Sequence, residues 1–294
     1  MAHLLSNKNL SVKIDLPEEN YNFSRFDWTG KITEVQYQNI LVTTGECKNP
    51  ENQNTLGKGF YNEFGIDSPL GFEETPIGGW FHKIGIGLLK KEDSLYQPGK
   101  KYEIKPADFD FFPAVNTLLI RCESAAQNGY AYVLEKTFEL QENGFSIHYA
   151  LHNTGEKEIR TDEYTHNFMA FDQEPIGIHY GLQFPFELQP EAFVETVNPE
   201  QKVILGSNNI QFSDTPKEPF FFSNLSGDAL VPACWELNNP HSQISLREQG
   251  NFKTTKINLW GTKHVVSPEL FFEIKLQPGS SVAWSREFTM NRIS

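Results

Sequence analysis

The chain has 294 residues, 38% of them hydrophobic, and a formal net charge of −13 from 38 acidic and 25 basic side chains. That length can bury a sizeable core, and so negative a field repels phosphate backbones and anionic lipid, which argues against nucleic-acid and membrane partners. Cys47, Cys122 and Cys234 are odd in number, far apart and without metal-type spacing, so neither a disulfide framework nor a zinc site is expected.

In chain order, strand signals dominate. In Arg25-Phe26-Asp27-Trp28-Thr29-Gly30, Asp27 reads as holding a turn through an ion pair. Lys48 to Pro76 is rich in Asn, Gly, Glu and Pro and reads as a long loop. Gly78-Gly79-Trp80-Phe81-His82-Lys83-Ile84-Gly85 starts on glycine and continues as a strand. After Asn143-Gly144, residues Phe145, Ile147, Tyr149 and Leu151 alternate with Ser146, His148, Ala150 and His152. The two histidines share a face roughly 13 Å apart, too far for one metal, and read as solvent-facing. The turn Asn153-Thr154-Gly155 leads to a strand through Thr161-Asp162-Glu163-Tyr164-Thr165-His166-Asn167-Phe168, and Asn198 to Pro219 is again loop-rich. Near the end, Phe272, Ile274 and Leu276 alternate with Glu273 and Lys275. Gln277-Pro278-Gly279-Ser280 then turns the chain, and Val282, Trp284 and Phe288 share one face of the next strand, which together predict a hairpin. No helix-length pattern, repeat or linker interrupts this series. The expectation is an all-β sandwich of antiparallel strands, one domain over residues 1–294.

The N-terminus lacks a basic segment followed by an apolar stretch, and no apolar run approaches the roughly 20 residues of a spanning helix, so a cytoplasmic location is expected. A phosphate-binding glycine loop, a dinucleotide fingerprint and a Gly-x-Ser-x-Gly nucleophile are all missing from the sequence. Any chemistry must therefore come from dispersed acid–base side chains, with no cofactor and no metal expected.

Three segments, in order, resemble landmarks of the galactose mutarotase-like (aldose 1-epimerase) superfamily. In Gly78 to Gly85, His82 and Lys83 stand where that family carries Asn-Arg, whose Arg binds sugar hydroxyls; Lys lacks the planar fork of donors. After the Asn153-Thr154-Gly155 turn, His166 stands where the family has its general acid. In Ser267-Pro268-Glu269, ahead of Pro278-Gly279 and Trp284-Ser285-Arg286-Glu287-Phe288, Glu269 stands where the family has its catalytic Glu. Arg25 to Gly30 also resembles the opening strands of relatives in that superfamily. The family's second His and its sugar-positioning Asp have no counterpart here.

The resemblance implies a galactose mutarotase-like super-β-sandwich and an aldose 1-epimerase-type isomerase that interconverts the anomers of a small-molecule carbohydrate. Glu269 would take the proton from the anomeric hydroxyl while His166 protonates the ring oxygen, the two on opposite sides of the C1–O5 bond. Unperturbed pKa values of about 4.3 and 6.5 suit a carboxylate and an imidazole to those roles. The substrate-binding candidates are Lys83, His82, Asn167, Tyr180 and Trp260. Taken singly, these residues have plainer alternatives: Glu269 a surface carboxylate, His166 a satisfied structural histidine, Lys83 a solvated strand-edge charge, Tyr180 and Trp260 core or cleft wall. A non-catalytic carbohydrate-binding or sensing protein on the same fold is the alternative function, and a polysaccharide lyase or hydrolase relative ranks third. Which sugar is bound, whether it is phosphorylated, and the oligomeric state are not written in the sequence.

Overall fold

The computed structural model describes residues 2–48 and 54–293. Strand accounts for 51% of the chain and helix for 2%, which makes it all-β. Two large antiparallel sheets face each other. The front sheet runs His3–Ser6, Leu10–Asp15, Lys31–Tyr37, Phe60–Phe64, Ile159–Asn167, Val265–Leu276, Ile257–Thr262, Phe220–Phe222, Thr196–Val197, with Ile40–Leu41 paired to Lys31–Tyr37. The back sheet runs Val203–Leu205, Asn209–Phe212, Gly181–Gln183, Val231–Asn239, Ile244–Thr254, Ser281–Arg292, Gly144–Asn153, Tyr132–Leu140, Thr117–Glu123, Asp108–Pro113. A small third sheet, Trp80–Lys83, Gly87–Lys90 and Ile104–Pro106, pairs with neither. Among the described residues no helix is long and apolar enough to cross a membrane.

Aromatic side chains join the two large sheets. Phe60 of the front sheet stacks on Phe288 of the back sheet at 4.9 Å, and Phe288 stacks on Phe145 at 4.8 Å. Trp284 stacks on both Tyr149 and the front-sheet Phe272. Between them runs a polar seam. Arg286, fully buried, donates from Nε and Nη2 to Glu163 and from Nη1 to Glu248 at 2.7 Å. Glu163 also accepts from Asn62 and Trp284, and Glu248 from Asn167 and Trp235. Asp27 does hold an ion pair, with the buried Lys136 at 2.8 Å.

Three sequence expectations change. The loop expected over Lys48 to Pro76 contains the strand Phe60–Phe64, well inside the front sheet, with all five residues buried. Both of its faces are covered, so the polar alternation that marks a half-exposed strand is missing. Residues 49–53 of that stretch lie outside the described residues. Likewise, Asn198 to Pro219 holds the short paired strands Val203–Leu205 and Asn209–Phe212. The expected C-terminal hairpin is not one: Val265–Leu276 belongs to the front sheet and Ser281–Arg292 to the back. Each strand already has a partner on both sides, so Gln277 to Ser280 is a corner between sheets. The Asn153 turn is a second such corner, and the two are clasped by Asn153 N–H to Ser280 O and Gly279 N–H to Asn153 O. Periodicity identifies strands and turns; it does not say which strands pair.

Candidate active site

Alternation along the front-sheet strands separates two environments. On Ile159–Asn167, Glu163, Thr165 and Asn167 point inward to the seam, and Tyr164 and His166 point outward. The outward face carries a cleft of about 600 Å³. The pairs Tyr164↔Phe271 and Met169↔Val266 share one register, which sets His166 directly across from Glu269 on the neighbouring strand. Their side chains touch: His166 Nε2 lies 3.4 Å from Glu269 Oε1, and both residues are about 5% exposed.

The same register builds parallel rows across the cleft. Beyond Glu269 comes Asn258, then Ser223 and Glu195, forming a polar row. Asn258 Oδ1 accepts the Asn224 N–H, and its side chain hydrogen-bonds Glu269. Alongside runs an apolar row of Trp260, Phe221 and Val197. Tyr164, Phe271 and Lys256 close the other side, with the Lys256 ammonium 4.1 Å above the Phe271 ring.

Burial dominates the electrostatics. It pushes the Glu269 carboxyl up to about 8, against the pull of the Arg25 guanidinium. Burial, helped by Arg25, drives His166 well below the ordinary imidazole value, so its ring is neutral. That reverses the order of proton affinities expected from unperturbed groups. At neutral pH the pair carries one proton, held by Glu269, and Nε2 of His166 presents a lone pair to it. Nδ1 is then the protonated nitrogen and donates to Ser267 Oγ at 2.9 Å; the same oxygen accepts the Asn167 N–H. The ring is fixed by stacking on Phe168 at 4.0 Å and by the edge of Trp260.

Arg25 is the guanidinium at this cleft. Its Nε donates to Glu63 at 2.9 Å, Nη2 to the Tyr164 hydroxyl at 3.3 Å and Nη1 to Glu46 at 3.5 Å. Glu63 is wholly buried and also accepts from Tyr164 at 2.8 Å and Lys83 at 3.1 Å. Burial alone would raise the Glu63 carboxyl, but the Lys83 and Arg25 charges outweigh it and hold it below the usual range.

Of the sequence candidates, His166, Glu269 and Trp260 line the cleft; Lys83, His82, Asn167 and Tyr180 do not. Lys83 lies behind the wall, with its ammonium committed to Glu63 and the Gly65 carbonyl. Its strand neighbour His82 points the other way, between Tyr130 and Tyr132, and burial lowers it to about 4. Asn167 follows His166 on a strand and so faces the seam, donating to Glu248 and the Pro268 carbonyl. Tyr180 packs on Phe171 and its hydroxyl accepts the Phe171 N–H. His166 and Glu269 are side by side on one face of the front sheet. Tyr164 and Asn258 were missed, although each lies two residues before a named cleft residue and shares its face for that reason. Arg25 entered only through the resemblance of Arg25 to Gly30 to an opening strand, and that segment is not a strand in the structure.

No protein-family model and no curated protein sequence matches the chain. Solved structures do. The protein Slr1438 from Synechocystis sp. PCC 6803 is 12% identical with a TM-score of 0.64, over 99% of this chain and 96% of that one. A candidate aldose 1-epimerase from Escherichia coli K12 is 10% identical with a TM-score of 0.62, over 100% and 99%. A galactose mutarotase-like protein from Lactobacillus casei is 12% identical with a TM-score of 0.61, over 99% and 100%. Along its whole length, then, the chain has the galactose mutarotase-like fold that aldose 1-epimerase-type structures share.

Proposed function

We propose that the protein is an aldose 1-epimerase-type isomerase, with His166 and Glu269 as its acid–base pair. The observation that carries this is the buried 3.4 Å contact between them on the floor of an open cleft, where burial raises the carboxyl and lowers the imidazole. The two oxygens that exchange protons in mutarotation sit on one carbon, so neighbouring groups on one sheet face suit them. The Glu269 carboxyl gives its proton to the ring oxygen as His166 Nε2 takes the proton of the anomeric hydroxyl. The C1–O5 bond breaks and its electron pair goes to the ring oxygen, while the electrons of the anomeric O–H bond form the aldehyde C=O. After rotation about C1–C2, the imidazolium protonates the aldehyde oxygen and the carboxylate takes back the O5 proton as the bond reforms. Each group is acid in one half and base in the other. In this reading Asn258, and the Arg25 N–H groups left over from its ion pairs, line the cleft beside the pair and would meet sugar hydroxyls.

The experiment is saturation-transfer NMR of anomer exchange over a panel of free aldoses, with wild type and Glu269→Gln side by side. Exchange accelerated by wild type alone supports the reading. Equal exchange in both sinks it, and binding without exchange leaves the non-catalytic sugar-binding alternative.

A further inference from the structure

The cleft is longer than its acid–base pair requires. From Glu269 the polar row crosses three strand spacings to Glu195, roughly 14 Å at about 4.8 Å per strand. A single pyranose over His166 and Glu269 leaves the outer half empty. That outer half is built as the inner half is, with polar groups beside an aromatic wall. Trp260 and Phe221 are direct cross-strand neighbours, both half-buried, and they form one continuous platform. Val194, 82% exposed, extends the apolar surface at the mouth. Flat apolar faces beside a line of hydrogen-bonding groups suit a sugar ring, which has C–H faces and a hydroxyl rim.

Charge narrows the ligand further. Among the described residues, the two cations lining the cleft are already ion-paired, Arg25 with Glu63 and Glu46, and Lys256 with Asp67 at 3.0 Å and Asp162 at 3.2 Å. The outer end adds Glu195 and Asp228. A phosphate or a uronate carboxylate would enter a negative field and find its would-be partners engaged.

We propose that the cleft takes the reducing end of an uncharged oligosaccharide. The anomeric ring lies over His166 and Glu269, and the next ring stacks on Trp260 and Phe221 with its hydroxyls toward Ser223 and Glu195. This rests on the reading of the cleft as a free-sugar site, but it is tested separately.

The test compares each monosaccharide with disaccharides that carry it at the reducing end: glucose with maltose, cellobiose and lactose, and mannose with mannobiose. Binding is read by calorimetric titration and anomer exchange by NMR, for wild type, Phe221→Ala and Ser223→Ala. At least one disaccharide should bind, or turn over by kcat/KM, about tenfold better than its monosaccharide. Phe221→Ala should collapse that ratio toward one and Ser223→Ala should reduce it. Equal values in every pair, no binding of any disaccharide, or a preference that survives both substitutions would overturn the proposal. A disaccharide preference in binding without anomer exchange keeps the outer subsite and sinks the isomerase reading. Exchange without preference does the reverse.

Discussion

The two faces of the strand Ile159–Asn167 both bury ionisable groups, and they treat them differently. On the inward face, Glu163 receives two donors from Arg286 and one each from Trp284 and Asn62. On the outward face, His166 meets Glu269 of the neighbouring strand, which has a hydrogen bond from Asn258 and only a long contact with this neutral imidazole. Glu163 is matched by the Arg286 guanidinium at 2.7 Å, whereas Glu269 has no cation at hydrogen-bonding distance and its desolvation is left standing. A buried charge with a matched partner holds two sheets in register; a buried carboxyl without one keeps its proton near neutral pH and can pass it on.

The sharpest way to break this comparison is to remove the seam's cation. Arg286→Leu leaves Glu163 and Glu248 buried without it, and we expect a loss of about 3–5 kcal/mol in unfolding free energy, read by denaturant titration. A loss below about 1 kcal/mol would mean that the seam is not energetically distinct from the cleft.

Glu269→Gln should do the opposite. Activity should fall about 10²- to 10⁴-fold, while stability rises. The sign follows from linkage: the folded-state pKa of about 8 lies above the ordinary carboxylate value, so folding favours the protonated form. The wild type is therefore least penalised below about pH 4.5 and loses stability as pH climbs through 8. Glutamine cannot ionise, so the variant should gain on the order of 2 kcal/mol at pH 9 and little at pH 4. The same proton sets the activity profile. The one-proton form of the pair prevails at neutral pH, so kcat/KM should hold there and fall as pH rises through about 8. An activity that climbs with pH across that range would mean that Glu269 works only as a carboxylate.

Ser267→Ala tests the tautomer. Without the Oγ acceptor, the imidazole loses the partner that keeps its proton on Nδ1. We expect kcat to drop roughly 10- to 100-fold with KM little changed.

The strands were legible in the sequence because alternation exposes them, whereas His166 and Glu269 were singled out only by the resemblance of their segments to landmarks of the galactose mutarotase-like superfamily. What stayed hidden follows from geometry that periodicity does not carry. Phe60–Phe64 has no alternation because both of its faces are covered. Arg286 shares the face of Trp284 and Phe288, yet an arginine in that pattern reads as exposed until its two carboxylates are brought from other strands. Lys83 and Arg25 are the clearest case. The strand that resembled a sugar-binding element carries a lysine, and the guanidinium comes instead from a segment far earlier in the chain. Only the packing of both on Glu63 joins them.

Glu63 also sharpens the comparison, because it lies on the outward side of its strand yet is compensated like the seam. Lys83→Met removes one of its two close cations and leaves Arg25 and the Tyr164 hydroxyl. With those donors still in place, the expected cost is only about 1–2 kcal/mol. The cleft should register the change in a second way. The cluster of Glu63, Lys83 and Arg25 loses a positive charge beside Glu269, so the Glu269 proton is held more tightly and the alkaline fall in activity moves to higher pH. Lys83→Arg keeps the charge and should leave that fall in place. If the methionine variant loses stability with no movement of the alkaline limb, Glu63 supports Arg25 mechanically and its charge does not reach the acid–base pair.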